Sequence, residues 1–353
     1  MAQIKFESVT KKFGGNTALD ALSLDVADGE FFVLLGPTGA GKTTALRLIA
    51  GLDMPDSGSI DIAGEDVSDR TAAERDVALV FQYYSLYPRY TVRQNLEFPL
   101  RSRTRNFAQS EIDQRVDQAS KTLRIAHLMD RKTDRLSGGE MQRVSIGRAI
   151  VREPRAFLMD EPLSNLDAKL REALRSELKE LQIRLKATFV FVTHDQVEAM
   201  SMGDKVAVLN KGKLVQVGRP WDIYNRPRDL FVASFVGSPS MNLLPGVVSG
   251  AECSLFGGAQ KLKMPVKPGV PGVTVGVRAE DVVVGPDGPV AAVIHDVENH
   301  GVEKIVTLRV SDVLLKATVS SKMQTAVDAA VRFGLVPDKA HFFDPASGLN
   351  LSA

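Results

Sequence analysis

The sequence predicts an α/β domain built on a largely parallel sheet, followed by an all-β domain, and three observations carry that expectation. From the start to about Phe235, short apolar runs alternate with stripes of helical period. Beyond Phe235 the helical stripes thin out, and valine-rich pieces alternate with Gly, Pro and Asp turns. Between the two textures, Gly237, Ser238, Pro239 and Ser240 read as a linker. A chain of 353 residues has room for about two such domains, expected over 1–235 and 236–353.

Taken in order, 31–35 reads as a buried strand that stops at Gly36, and 43–50 opens a helix with Leu46, Ile49 and Ala50 on one side. A second helix is expected from an N-cap at Ser110, because Ile112, Val116, Ala119 and Leu123 recur at spacings of four, three and four. A third follows Asp167, where Leu170, Leu174, Leu178, Leu181 and Leu185 form a similar stripe. Residues 157–159 and 189–192 are short and apolar enough for central strands. In the β region, strands are expected over 273–277, 282–284, 304–310 and 314–319. The basic run Arg101, Arg103, Arg105 reads most simply as a solvated face, and no repeat of solenoid period occurs.

Composition narrows the function classes. Lys and Arg number 44 against 43 Asp and Glu, a formal charge of +1. That balance lacks the electrostatic footprint of a dedicated nucleic-acid binder, so no nucleic-acid partner is expected. The one cysteine, Cys253, has no internal disulfide partner, and no Cys/His zinc pattern occurs; both fit a reducing compartment, with Cys253 a small packed residue. A spanning helix needs about 20 consecutive apolar residues, and the strongest runs, 31–35 and 189–192, are far shorter. Residues 1–7 alternate around Lys5 and Glu7 without the apolar core of a signal peptide, so the expected place is the cytosol.

Chemistry concentrates in three stretches. Gly36-Pro37-Thr38-Gly39-Ala40-Gly41-Lys42-Thr43 has the spacing of a phosphate-binding loop and lies between an expected strand and an expected helix. Its backbone N–H groups would face phosphates at a helix amino end, Lys42 would reach the β and γ phosphates, and the Thr43 hydroxyl would ligate Mg²⁺. A strand that ends in Asp160-Glu161 supplies a magnesium carboxylate and a candidate general base. Leu136-Ser137-Gly138-Gly139-Glu140-Met141-Gln142 precedes an apparent helix and forms a second anion site at a helix start. One ATP could be held between the two helix starts, within one chain or across two copies.

Together these residues resemble the ABC transporter ATPases, a P-loop NTPase family in which 136–142 is the signature motif. The resemblance covers nearly the whole chain. It implies a head-to-tail homodimer with each ATP between the loop of one copy and the signature of the other, set by Arg131, Leu136, Ser137, Gly138, Gly139 and Glu140. On the same basis Phe13 stacks on adenine, and Gly36, Thr38, Gly39, Ala40, Gly41, Lys42, Thr43 and Thr44 hold the phosphates. Gln82 is the glutamine that senses the γ phosphate and joins Thr43 and Asp160 on magnesium. Ser164 and Asp167 belong to the D-loop, and His194 holds the γ phosphate and attacking water with Glu161.

Residues 83–88, Thr91-Val92, Asn95-Leu96 and 98–100 are similar to the carbohydrate importers of this family, where they form a groove for the membrane subunit. Residues 197–200 and 231–245 point to the same group. The resemblance therefore implies a helical subdomain at about 88–152 and an oligonucleotide-binding-type β domain at the C-terminal end. It implies two transmembrane permease subunits, an extracytoplasmic solute-binding protein and a peripheral position on the cytoplasmic face of the membrane. Two departures stand out: Glu140 where many members have glutamine, and Ala279 in place of a usual proline. A soluble ATPase acting on DNA or ribosomes is the alternative, disfavoured because only about 50 residues separate Gln82 from Leu136 and there is one phosphate loop. Another is an importer for an inorganic anion sensed by the β domain.

Overall fold

The computed structural model describes residues 2–102, 107–264 and 271–352. Contacts divide the chain into two compact units, 1–220 and 221–353. Of the expected basic face, Arg103 and Arg105 lie outside the described residues, whereas Arg101 is half-exposed and paired with Glu97 at 2.8 Å.

The first unit carries β1 (Ile4–Phe13), β2 (Asn16–Val26), β3 (Phe31–Leu35), α1 (Lys42–Ala50), β4 (Ser57–Ile62), β5 (Glu65–Asp66) and β6 (Val77–Val80). There follow α2 (Val92–Glu97), α3 (Gln109–Thr122), α4 (Gly138–Ile150), β7 (Ala156–Asp160), α5 (Ala168–Leu185), β8 (Thr188–Thr193), α6 (Gln196–Met202), β9 (Lys205–Asn210) and β10 (Lys213–Gly218). One sheet is antiparallel, in the order β2-β1-β4-β5; the other runs β10-β9-β3-β8-β7-β6. In the second sheet every pairing is parallel except β10 with β9. Parallel strands are covered on both faces and read as continuous apolar runs, which is why 31–35 and 188–193 are buried at every position.

The two faces of β3 pack differently. Phe32 and Leu34 join Leu46 and Ile49 of α1 and Ile4, Phe6 and Ile60 of the antiparallel sheet in one apolar core. Phe31 turns the other way and stacks on Phe189, which stacks on Phe157, at centroid distances of 5.5 and 4.8 Å. On α5 the stripe buries Leu174, Leu178 and Leu181, and Asp167 caps the helix by accepting from the Leu170 amide. The expected Ser110 cap is corrected: α3 begins at Gln109 with Ala108 in the cap position and no side-chain cap. Ile112, Val116 and Ala119 are nonetheless buried, because the burial stripe is independent of the capping group. Helices α2, α3 and α4, which come between β6 and β7 in chain order, pack on one another.

The second unit contains the helix Leu230–Phe235 and two five-stranded sheets. Its expected strands occur as Gly272–Val277, Val282–Val284, Glu303–Val310 and Val313–Ser320. The strand Val282–Val284 at one edge of its sheet touches Val313–Ser320 at the other, so those five strands curl into a barrel-like form. Cys253 is fully buried in this unit's core with Leu244, Leu262 and Val275.

Candidate functional site

In open α/β sheets ligands lie beyond the carboxyl ends of the strands. Here four adjacent strands, β3, β8, β7 and β6, end side by side, with Leu35 opposite Thr193, Val192 opposite Asp160, and Met159 opposite Val80. The residues that follow are the phosphate loop, His194, Glu161 and Gln82, so one sheet edge gathers motifs from four distant stretches.

Gly41 takes φ 98° as the cap of α1, a left-handed backbone that favours glycine. A Cβ there would also lie 2.6 Å from the Ala18 carbonyl oxygen. Lys42 is 5% exposed, and its ammonium donates to the carbonyls of Gly36 (2.9 Å) and Pro37 (3.0 Å). It also stands 3.8 Å from Glu161 Oε1. Burial lowers the Lys42 pKa, against the pull of Glu161 and Asp160. The Thr43 hydroxyl donates to Asp160 Oδ1 at 2.9 Å, and burial raises the Asp160 carboxyl above its usual range.

Glu161 sits at φ 43°, a strained backbone for a non-glycine residue, fixed by its amide donating to the Val192 carbonyl at 3.0 Å. Its Oε2 is 3.0 Å from His194 Nδ1. The Glu161 side chain is 19% exposed and that of His194 57%, so the pair has one shielded member and one facing solvent. Ser164 donates from Oγ to the Glu161 carbonyl (2.9 Å) and accepts from Gln82 Nε2 (3.2 Å). Lys42, Thr43, Asp160, Glu161, His194, Ser164 and Gln82 are thereby linked in one chain of contacts. A cleft of about 530 Å³ is lined by Phe13, by 39–44, and by Asn16, Thr17, Ala18 and Lys211. Sequence reasoning missed Lys211, which follows β9 with no motif to flag it; only the sheet order brings it to the loop.

The signature residues form a separate cluster. Ser137 caps α4; its amide donates to Glu140 Oε2 (2.7 Å), its hydroxyl donates to the same oxygen (2.8 Å), and its Oγ accepts from the Glu140 amide. Arg131 Nη1 is 3.7 Å from Glu140 Oε1. The Ser137 amide, Arg131 and the hydroxyl together hold the Glu140 carboxyl below its ordinary range, the amide most strongly. A Cβ on Gly139 would press within 2.7 Å of Leu170, so the signature turn is seated on the first turn of α5. Leu136 is buried and Gly138 lies beside Tyr84 and Leu166. Among the described residues, no hydrogen bond or ion pair joins 136–140 to 36–44.

The site fits a polyphosphate and a hard cation. A helix start preceded by glycine amides, with a buried lysine, is a cradle for phosphate. Thr43, Asp160 and Gln82 offer oxygen donors suited to Mg²⁺, and Asp160 is a carboxylate whose burial calls for a cation.

The chain is similar to known proteins over most of its length. The ABC transporter family profile matches 19–164. The xylose/arabinose import ATP-binding protein of Haloferax volcanii is 44% identical, over 99% of this chain and 95% of its own length. The trehalose/maltose import ATP-binding protein of Thermococcus litoralis is 45% identical over 99% of both chains. The sn-glycerol-3-phosphate import ATP-binding protein of a Ruegeria species is 43% identical over 99% of both. Among solved structures, a dimeric ATP-binding cassette bound to ADP and phosphate is 31% identical at TM-score 0.55, over 62% of this chain and 98% of its own. The chain therefore belongs to the ABC transporter family, among its ATP-binding, ATP-hydrolysing subunits.

Proposed function

We propose that the chain is the motor subunit of an importer for a carbohydrate or related solute, a sugar, glycoside, polyol or glycerol phosphate. The class rests on the full-length likeness to import subunits whose names specify pentoses, trehalose/maltose and glycerol phosphate. The motor role rests on the His194–Glu161 contact of 3.0 Å beside Lys42.

On this reading Phe13, half-exposed at the cleft mouth, stacks on adenine, while the amides of 38–44 and Lys42 hold the phosphates. Thr43, Asp160 and Gln82 would hold Mg²⁺, which supplies charge neutralisation across the β and γ phosphates when bound. Glu161 accepts a proton from the attacking water. His194 orients Glu161 and reaches the γ phosphate, and Gln82 reports occupancy to Ser164. Arg131 and the 136–140 turn complete the site of a second copy, so that two chains close on two ATP molecules. What supports this is the self-contained signature cluster, which among the described residues has no hydrogen bond or ion pair to its own phosphate loop. Residues 1–235 act as the motor and 236–353 as an accessory dimerisation or regulatory domain.

Two transmembrane permease subunits and an extracytoplasmic binding protein complete the complex, with this chain peripheral on the cytoplasmic face of the membrane. The docking groove is lined by Phe81, Tyr84, Ser85, Pro99, Arg148 and Arg152, beside the ring cluster Tyr87, Tyr90 and Phe98. No described helix is long and apolar enough to cross a membrane itself. The test is purification of the complex from membranes, followed by thermal-shift screening of its binding protein with sugars, polyols and glycerol phosphate. Stabilisation by one of these is expected; recovery of the chain without any membrane protein overturns the importer assignment.

A further inference from the structure

Arg171, in the first turn of α5, belongs to none of the motifs. Its Nη2 donates to the carbonyls of Ser164 and Leu166, each at 3.3 Å. Its Nη1 donates to Asp195 Oδ2 at 3.3 Å. Its Nε is buried without a hydrogen-bond partner and stands 4.0 Å from Glu198 Oε1. Glu198 is itself 3% exposed and accepts from the Thr193 hydroxyl, whose Oγ1 accepts from the Asp195 amide at 2.9 Å. One planar guanidinium thus grips two turns. The first, 164–166, hangs from Glu161 through the Ser164 hydroxyl; the second, 193–195, carries His194.

We propose that Arg171 is a positioning residue for ATP hydrolysis: it clamps the turn after Glu161 to the turn that bears His194, and so fixes the separation of that pair. The inference rests on the assignment of Glu161 and His194 as the reactive pair. Its physical basis is the fork of the guanidinium, which serves two carbonyls and a carboxylate at once, a task an ammonium performs only in part. Both carbonyls belong to the loop that the signature turn also touches through Leu166. Movement of that loop is therefore transmitted to His194 through Arg171, with no contact to nucleotide.

The test compares Arg171→Met and Arg171→Lys with the wild-type full chain in steady-state ATPase assays, with Tm and amide exchange measured alongside. Arg171→Met is expected to lower kcat about tenfold while KM for ATP stays within about twofold, the pattern of an interaction that serves the transition state. Arg171→Lys is expected to recover part of the loss. Amide exchange at both Ser164 and Asp195 is expected to accelerate in Arg171→Met. In an Asp195→Asn background, which keeps the helix cap, Arg171→Met is expected to cost no more than about threefold, since coupled residues are non-additive. An unchanged kcat, equal losses in both backgrounds, or faster exchange at only one turn overturns the clamp. Glu161→Gln in the same assay separates the two failures. If it is inactive while Arg171→Met is normal, the clamp is wrong; if it turns over at the wild-type rate, the reactive pair is misassigned and the clamp falls with it.

Discussion

Lys42 holds a charge in a place nearly closed to water, and everything around it answers that fact. Two loop carbonyls accept from it and Glu161 stands 3.8 Å away. Replacing it with methionine removes the cation and leaves the half-buried Asp160 and Glu161 side by side, with the Thr43 hydroxyl and the charge of Arg47 as what still offsets Asp160. Lys42→Met is therefore expected to weaken ATP binding at least tenfold, read by equilibrium titration. At the neighbouring position, Gly41→Ala places a methyl group against the Ala18 carbonyl on a left-handed backbone. It should cost about 1–3 kcal/mol of stability in a urea melt. Glu140 is the residue at which the structure changes the picture most. A glutamine would be neutral, whereas this carboxylate engages both donors of Ser137 and lies near Arg131. The spelling of the motif shows an acid; only the fold shows what it holds.

At the scale of elements, legibility in the sequence followed the range of the forces. Strand β3 and the core face of α1 are written in local apolar spacing and formed where that spacing placed them, whereas of the α5 stripe Leu174, Leu178 and Leu181 are buried and Leu170 and Leu185, near the helix ends, only partly so. The cap of α3 is not legible in the sequence, because Ser110 inside the helix has the same local signature as a serine at its end. Arg171 could not be read at all: its partners Asp195 and Glu198 are 24 and 27 residues away, and only the packing of α5 beside α6 joins them. The strand His341–Phe343 carries a similar hidden feature. Burial first, then Arg278 and Lys339, push the His341 pKa down to about 4. Between that value and the ordinary 6.5, the unfolded chain binds a proton that the folded one refuses, so stability falls as pH drops through this window. Allowing for partial exposure, the loss is on the order of 2 kcal/mol. Urea unfolding at pH 7 and pH 5 should show it, and His341→Gln should flatten the difference.

At the scale of the molecule, the four strand ends make half of a machine whose other half is proposed to come from a second copy. Glu161→Gln is expected to retain ATP binding, lose turnover, and accumulate an ATP-dependent dimer by light scattering. A variant that hydrolyses ATP at the wild-type rate would remove the base assignment. The same scale explains why composition alone was a poor guide to partners. A charge of +1 and, among the described residues, the lack of a helix long and apolar enough to cross a membrane describe a chain by itself, whereas the groove, rings and signature turn are the surfaces that we propose partners complete.

One thiol serves this whole molecule, and it lies at the centre of the β unit with none of its surface open to water. A thiol reagent must wait for that unit to open before it can react. Labelling of Cys253 thus gives the protein a built-in clock: with no second cysteine to confuse the signal, the rate of modification reads how often the second unit breathes.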